Sequence, residues 1–505
     1  MACSRSPAAD FGAVNFIEEV LEGFPASARA VIALDREGEL RVWHFGELIA
    51  ISAGLSGAFA ARGVRRGDAV MILIGNRIEW VLAMLACWRM GAIALPCNTQ
   101  LRRNDLALRV NVANPSLAVG EDELLAELPD GIETMTLAEV HEAMDEDRPQ
   151  QTPVEPADLD PSDGALIVFT SGTTGEPRGV LHTQGYLSGQ RVQAEHWFGA
   201  RKGEVAWCTT ATGWSKSARN VFVAPWLMGA TAVIQDARFD PEERLRLCEE
   251  LGVNVLCQAP TEYRMLAKRT QLRPIESLRQ LVSAGEPLNP EIITTFRDST
   301  GLEIHDGYGQ TETGQVTGIG AGEPVRAGSM GKPLPGFEIR VSPAAPGSGA
   351  EEAEEAGELQ LRPSSCPTFF ARYLDGERFD GDWWQTGDLV RADEDGFLYF
   401  EGRSDDLILS SGYRIGPFEV ESALVAHPAV AEAAAVSAPD PERGAVVRAI
   451  VVLRDAEPSE QLAQELQEHC KRTTAPYKFP RIIEFAEELP KTPSGKIKRA
   501  ELRGR

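Results

Sequence analysis

The chain has 505 residues, 43% hydrophobic and 25% charged, with 47 glycines and 32 prolines. That is ordinary globular composition with length for two to four domains, which excludes a mini-protein, a collagen-like rod and a disordered chain. Seventy-five acidic against 50 basic side chains give a net charge of −25, which opposes nucleic acid and anionic membrane surfaces as partners without forbidding a local basic site.

In chain order, residues 1–23 alternate polar and apolar, with acids at 18, 19 and 22. No continuous hydrophobic stretch resembles a signal for export, so a soluble, cytoplasmic chain is expected. The apolar run 69–74 predicts a strand before a helix ending at Met90. Residues 80–97 form the most apolar stretch, but Arg89, Gly91 and Pro96 break it, which fits a buried helix followed by a strand better than a membrane span. Similar strand and helix pairs follow at 231–235 with 241–251, and at 253–258 with 261–269. This rhythm predicts βαβ units around largely parallel sheets. Residues 145–161 and 342–356, rich in Pro, acids and Gly or Gln, read as solvated connectors. The eight cysteines are scattered with no C-x-x-C pair, so reduced thiols are expected rather than a zinc ribbon or a disulfide scaffold.

Four segments carry chemistry. In the first, a buried strand from Ala165 runs into Thr170-Ser171-Gly172-Thr173-Thr174-Gly175-Glu176-Pro177-Arg178, and a helix is expected from Gln184. Glycines let backbone N–H groups approach an anion, hydroxyls add donors and Arg178 adds charge, so the loop suits phosphates. It is no Walker A loop, and a mobile Ser/Thr/Gly loop without ligand is the plainer alternative. In the second, Asp306-Gly307-Tyr308-Gly309-Gln310-Thr311-Glu312-Thr313-Gly314 is expected at the carboxyl end of a strand, where open α/β sheets bind ligands. Tyr308 suits stacking on a planar base and Glu312 suits Mg²⁺, although a glycine turn with a surface acid reads equally well. The third comprises Trp383 to Asp388 and Gly402 to Pro417, with Asp393 to Gly396 between them as a β-turn. The fourth, 489–499, offers Lys496 beside Gly495 on a Pro/Ser loop, to be weighed against a solvated tail lysine.

Other signals are weaker. No H-E-x-x-H, G-x-S-x-G or G-x-G-x-x-G spacing occurs among the histidines, serines and glycines, which removes support for metallohydrolase, α/β-hydrolase and dinucleotide-binding readings. Residues 471–505 hold ten bases and four acids, a local net of +6. They read either as a solvated terminal helix and tail or as a cationic surface for a small polyphosphate.

Together and in this order the four segments resemble the adenylate-forming superfamily of acyl-CoA synthetases, adenylation domains and luciferases, from residue 30 onward. The C-terminal part is most similar to the medium-chain acyl-CoA synthetases, through 308–314, 411–417, 439–444, 474–480 and 489–499. The resemblance implies an α/β fold: a large N-terminal domain (1–404) with βαβ-layered sheets and a β-barrel-like subdomain, and a small mobile α+β C-terminal domain (405–505) hinged at Asp405. It implies an ATP-dependent ligase that converts a medium-chain or related carboxylic acid through acyl-AMP to acyl-CoA, with Mg²⁺ as cofactor and ATP and coenzyme A as co-substrates. The alternatives are an aryl or short branched-chain acid ligase and a catalytically silent nucleotide- or acyl-binding protein. A monomer and a homodimer both remain open.

By the same resemblance, Thr170 to Arg178 hold the β- and γ-phosphates, and Gly285, Glu286 and Pro287 with Asp306, Gly307 and Tyr308 hold adenine. Gly309 and Gln310 continue the nucleotide run. Thr311 meets the α-phosphate, Glu312 the magnesium and Asp388 the ribose, with Arg403 beside it. Lys496 bridges the acid's carboxylate and the ribose-phosphate oxygens. Ser411, Gly412, Tyr413, Arg443, Lys471 and Arg481 match coenzyme A contacts. Trp214 walls the acyl pocket, and Gly309 either leaves it open for acids larger than acetate or only relieves backbone strain in the turn. Two departures are Arg178 where relatives carry Lys, and Ala211 where close relatives carry Asp.

Overall fold

Strands buried on both faces need apolar side chains at successive positions, and the runs read from the sequence supply them. In the computed structural model, which describes residues 15–145, 152–170, 177–343, 356–403, 406, 408–410, 413–440, 444–454, 456–474, 476–491 and 497–503, such runs build two large sheets. The seven-stranded sheet runs, edge to edge, Arg372–Tyr373, Gly179–Thr183, Gly164–Phe169, Ile93–Pro96, Ala69–Leu73, Leu117–Gly120 and Thr134–Thr136. Its last five strands are parallel, and the first two are antiparallel additions. The nine-stranded sheet orders Lys332–Pro333, Gly314–Gly318, Ile304–Gln310, Gln280–Ala284, Val255–Gln258, Val205–Cys208, Thr231–Gln235, Arg29–Leu34 and Leu40–His44. It is parallel in the middle, with antiparallel strands at both edges.

Period-two alternation divides each strand between two cores. Val70 and Ile72 face one cluster while Ala69, Met71 and Leu73 face another; likewise Val255 and Cys257 face one and Leu256 another. The shared cluster lies between the two sheets and contains the helix Ile78–Met90, every residue of which is buried, together with Phe222 and Trp226. Complete burial explains why that stretch is apolar all round and yet spans no membrane. Among the described residues no helix is long and apolar enough to cross one. Trp88 remains satisfied there because its indole N–H donates to the carbonyl of Ala165 at 3.0 Å.

The subdomain expected to resemble a barrel is a four-stranded antiparallel sheet, ordered Ile339–Pro343, Ala356–Leu361, Trp384–Ala392 and Leu398–Arg403. Asp393 to Gly396 form the expected turn, closed by the Gly396 N–H on the Asp393 carbonyl at 3.0 Å. From Ile408 onward the buried side chains form separate clusters, around the helix Pro417–Val425, the long pair Val430–Asp440 and Gly444–Leu453, and the helix Glu460–Thr473. The seven described cysteines are all free and buried.

Candidate active site

The strands Gly164–Phe169 and Gly179–Thr183, which flank the hydroxyl-rich loop, are antiparallel neighbours. The neck of the loop is held by the Thr170 N–H on the Arg178 carbonyl at 2.9 Å and by the Arg178 N–H on the Thr170 hydroxyl at 3.1 Å. Ser171, Gly172, Thr173, Thr174 and Gly175 lie outside the described residues. The Arg178 guanidinium forks onto the Asp375 carboxylate, with Nη2 at 3.0 Å, and lies 3.5 Å over the Tyr373 ring. Hydrogen bonding to Asp375 pushes its pKa up. Both ends of this ion pair are about half exposed, so it contributes only about 0–1 kcal/mol and leaves Arg178 able to turn toward an anion.

Tyr373 links this loop to the second segment. Its hydroxyl donates to Glu312 Oε1 at 2.7 Å, and burial with the nearby Glu312 charge raises its pKa, so the phenol stays a donor. The strand Ile304–Gln310 ends within the motif, which therefore spans the strand's carboxyl end as expected. The ladder continues because Gly314–Gly318 returns antiparallel beside it, with Gln310 opposite Gly314. Thr311 and Glu312 are therefore carried on a three-residue reversal. The Gln310 N–H on the Thr313 hydroxyl (3.1 Å) and the Thr368 hydroxyl on the Thr313 carbonyl (2.6 Å) fix it from below.

Next to that turn, donors distant in sequence converge on the buried Asp388 carboxylate. The Tyr308 hydroxyl approaches Oδ2 at 2.5 Å, Gln310 Nε2 the same oxygen at 2.8 Å, and Arg403 Nη1 reaches Oδ1 at 3.3 Å. Asp388 and Arg403 are direct cross-strand partners. Gly387 adopts φ 69°, and a Cβ there would lie 3.1 Å from Arg403 Nη2, so glycine both permits the turn and clears the guanidinium. Gln310 also donates to the Thr386 carbonyl at 2.7 Å and accepts from the Trp384 indole at 3.2 Å. Burial and the charge of Asp388 raise the Tyr308 hydroxyl's pKa, which keeps it protonated and donating.

The parallel register opposes Ser283 to Asp306 and Ala284 to Gly307, so Gly285 to Pro287 and Asp306 to Tyr308 lie side by side. A Cβ on Gly307 would sit 2.3 Å from Gln315 Nε2, so no larger residue fits there. Asp306 is buried, and burial raises its pKa against the Gly307 N–H at 2.9 Å and the charge of Lys216. Lys216 donates to the Ala284 carbonyl at 2.6 Å. Glu286 is held by the Thr261 hydroxyl at 2.7 Å and by Arg264 at 3.3 Å.

Of the two readings of Gly309 the backbone one gains support, since a Cβ there would lie 1.9 Å from the Gly314 carbonyl oxygen, where the register between the two strands shifts. The missing side chain serves this close approach. The 471–505 basic patch is also less free than its charge suggests, with Lys471 paired to Glu468, Lys491 to Glu432 and Arg499 to Glu421. Trp214, half-buried, does open the helical segment Ser215–Leu227 after Gly213, at whose φ of 87° a Cβ would meet the Asn98 nitrogen at 2.4 Å. Lys471 and Arg481 are brought together on the Phe479 ring, 4.4 and 4.9 Å from its centroid. Tyr413 begins the strand Tyr413–Ile415. Asp405, Ser411, Gly412, Arg443 and Lys496 lie outside the described residues.

Sequence reading missed Tyr373, Asp375 and Lys216. Only Lys216 left a signal, as a lone base among small residues. Among the described residues no three His, Cys, Asp or Glu side chains gather as a metal cage. A single Glu312 carboxylate suits an ion whose other ligands are waters and phosphates, the habit of Mg²⁺.

Residues 17–367 match the family model of the AMP-binding enzymes, and residues 419–496 match that of the AMP-binding enzyme C-terminal domain. A mitochondrial acyl-coenzyme A synthetase of Mus musculus is 39% identical, covering 97% of this chain and 90% of its own. An acyl-CoA ligase of Bacillus subtilis, itself uncharacterized, is 37% identical over 97% of this chain and 96% of its own. Among solved structures, an anthranilate CoA ligase in complex with anthranoyl-AMP superposes with a TM-score of 0.86 at 27% identity, covering 98% of both chains.

Proposed function

The chain belongs to the AMP-binding enzyme family, and from that premise we propose that it is an AMP-forming acid–thiol ligase which activates a carboxylic acid with ATP and passes the acyl group to coenzyme A. The observation that carries the reading is the convergence of Tyr308, Gln310 and Arg403 on Asp388, one turn away from Thr311 and Glu312.

In the first step a carboxylate oxygen attacks the α-phosphorus and pyrophosphate leaves. Two anions must meet, so fixed donors aimed at the developing charge have most to contribute. Residues 170–178 cradle the outer phosphates, Arg178 exchanging Asp375 for phosphate oxygens. Asp388 accepts from the ribose hydroxyls, and the side chains bonded to it hold its orientation. Gly285 to Pro287 and Asp306 to Tyr308 border the base, and Thr311 meets the α-phosphate. Glu312, oriented by Tyr373, would hold Mg²⁺, which supplies charge neutralisation at the phosphates when bound. Lys496 bridges the acid's carboxylate and the nucleotide.

In the second step the coenzyme A thiolate attacks the acyl carbonyl and AMP departs. We assign residues 1–404 and 405–505 to two domains hinged at Asp405, the smaller one rotating between steps to withdraw Lys496. Lys471 and Arg481, with Ser411, Gly412, Tyr413 and Arg443, then receive coenzyme A. The cytoplasm is the proposed compartment. A medium-chain acid is the leading substrate class, in keeping with the synthetase relatives; an aryl acid is the second reading, favoured by the superposition on an anthranilate ligase. Octanoate, benzoate and isobutyrate, each supplied with Mg·ATP and coenzyme A and scored by thioester formation, decide between them. Thioester from octanoate at the highest kcat/KM supports the first reading, and from benzoate the second. None from any acid rejects both.

A further inference from the structure

Arg219 is 4% exposed and interacts with the Tyr186 hydroxyl, yet among the described residues it forms no ion pair and its Nε and Nη1 are left without an acceptor. Arg244, about as buried, shows the usual arrangement: it donates to Gln258 at 2.9 Å, lies 3.8 Å from Glu262 and stacks on Trp207. A buried charge without a counter-ion is among the costliest groups a fold can retain, and an arginine that remains there implies an anion that arrives with a ligand.

The surroundings point the same way. The Tyr186 hydroxyl interacts with Arg219 and Gln190 and the His182 ring with the Thr311 backbone, while the Asn220 amide and Gln315 Oε1 are buried without a described hydrogen-bond partner. The His182 and Tyr186 rings lie 4.0 Å apart. Burial, aided by the Arg219 charge, takes His182 down to about 3, so it stays neutral and Arg219 is the cation of the group. At Arg219 the helical segment widens, the Ala224 N–H reaching back five residues to the Arg219 carbonyl. Such widened turns re-aim side chains and recur at functional sites. The guanidinium is turned toward the catalytic reversal: Nη1 lies 3.6 Å from where a Cβ on Gly314 would be, three residues beyond Thr311. Trp214 caps the start of the same helical segment five residues before Arg219, so the proposed acyl wall and the guanidinium stand on one element.

We propose that Arg219, with His182 and Tyr186 beside it, receives a second carboxylate at the far end of the acid being activated, so that dicarboxylic acids are preferred over plain fatty acids. This rests on the ligase reading above and narrows its substrate class. A carboxylate offers two coplanar oxygens to the fork of a guanidinium, and the Tyr186 hydroxyl and one His182 nitrogen supply further donors.

The test measures pyrophosphate release by the full chain with Mg·ATP and three length-matched pairs: butanoate and butanedioate, hexanoate and hexanedioate, octanoate and octanedioate. Wild type is expected to favour the dicarboxylate at its best length by tenfold or more in kcat/KM. Arg219→Leu and Arg219→Gln should lower that value roughly a hundredfold and leave the matched monocarboxylate equal or improved, inverting the ranking. A wild-type preference for monocarboxylates at every length overturns the proposal and needs no variant to fold. An equal loss of both classes in the variants overturns it too, because Arg219 would then serve the reacting carboxylate or the fold alone. No pyrophosphate from any acid rejects the ligase reading itself, whereas release from monocarboxylates preserves that reading and rejects only this one.

Discussion

Replacing Asp388 by asparagine keeps the shape of the side chain but removes the charge on which Tyr308, Gln310 and Arg403 converge at 2.5, 2.8 and 3.3 Å. An amide can keep its oxygen toward Tyr308 and Gln310, and its NH₂ then opposes the Arg403 N–H, donor against donor. The charge-assisted bond lost is worth about 1.5–3 kcal/mol. Arg403 keeps 35% of its side chain exposed, so water recovers part of this and stability should fall by about 1–2 kcal/mol. The effect on ATP is larger. With both ribose hydroxyls donating to this carboxylate, the neutral variant weakens two such bonds, about 3 kcal/mol together, or roughly a hundredfold in kcat/KM for ATP. Acid-dependent ATP–pyrophosphate exchange at varied ATP, run beside urea unfolding, reads both quantities. A variant with the expected stability loss but an ATP dependence within threefold of wild type refutes the ribose role.

Three further outcomes are expected. At Glu79, burial pushes the carboxyl up, but hydrogen bonds from His141 and Arg77 outweigh it and hold the pKa at about 2, against 4.5 ordinarily. A carboxyl so depressed stabilises the fold above pH 4.5 and loses that contribution as pH falls toward 2, so Glu79→Gln should cost about 3 kcal/mol at pH 7 and flatten the acid limb of stability. Urea midpoints at pH 7, 5 and 3 that run parallel for the two proteins contradict this. Gly309→Ala would set a methyl 1.9 Å from the Gly314 oxygen and should cost about 2–4 kcal/mol by urea unfolding; a wild-type midpoint would restore the open-pocket role. Glu312→Gln can still accept from Tyr373, so it should fold normally while the Mg²⁺ needed for half-maximal exchange rises about tenfold or more. An unchanged Mg²⁺ titration removes Glu312 from the metal's ligands.

The periodic elements were legible because local apolar pattern dictates them. The strand and helix read at 69–90 are Ala69–Leu73 and Ile78–Met90, and those read at 231–251 are Thr231–Gln235 and Pro241–Glu250. The helix expected from Gln184 is Gln184–Gly189. The strand under the Asp306 motif extends further than its apolar run because glycine and polar residues there are held by a ladder partner later in the chain. Gly309 left two readings open because whether a missing Cβ opens space or permits contact depends on what lies opposite, and that is Gly314. Long-range contacts left little trace. Tyr373 reaches Glu312 and Asp375 reaches Arg178 across intervals that no local periodicity encodes. Arg219 has no local sequence signal, and only its burial without an ion pair among the described residues distinguishes it.

Acyl-adenylate formation requires a carboxylate oxygen to form its bond at the α-phosphorus. With the substrate acid labelled by ¹⁸O in its carboxylate, one labelled oxygen should remain with AMP after coenzyme A has taken the acyl group, and mass spectrometry of the AMP will read it. Label recovered in AMP is the predicted result; turnover that leaves AMP unlabelled, or moves the label into orthophosphate, contradicts it.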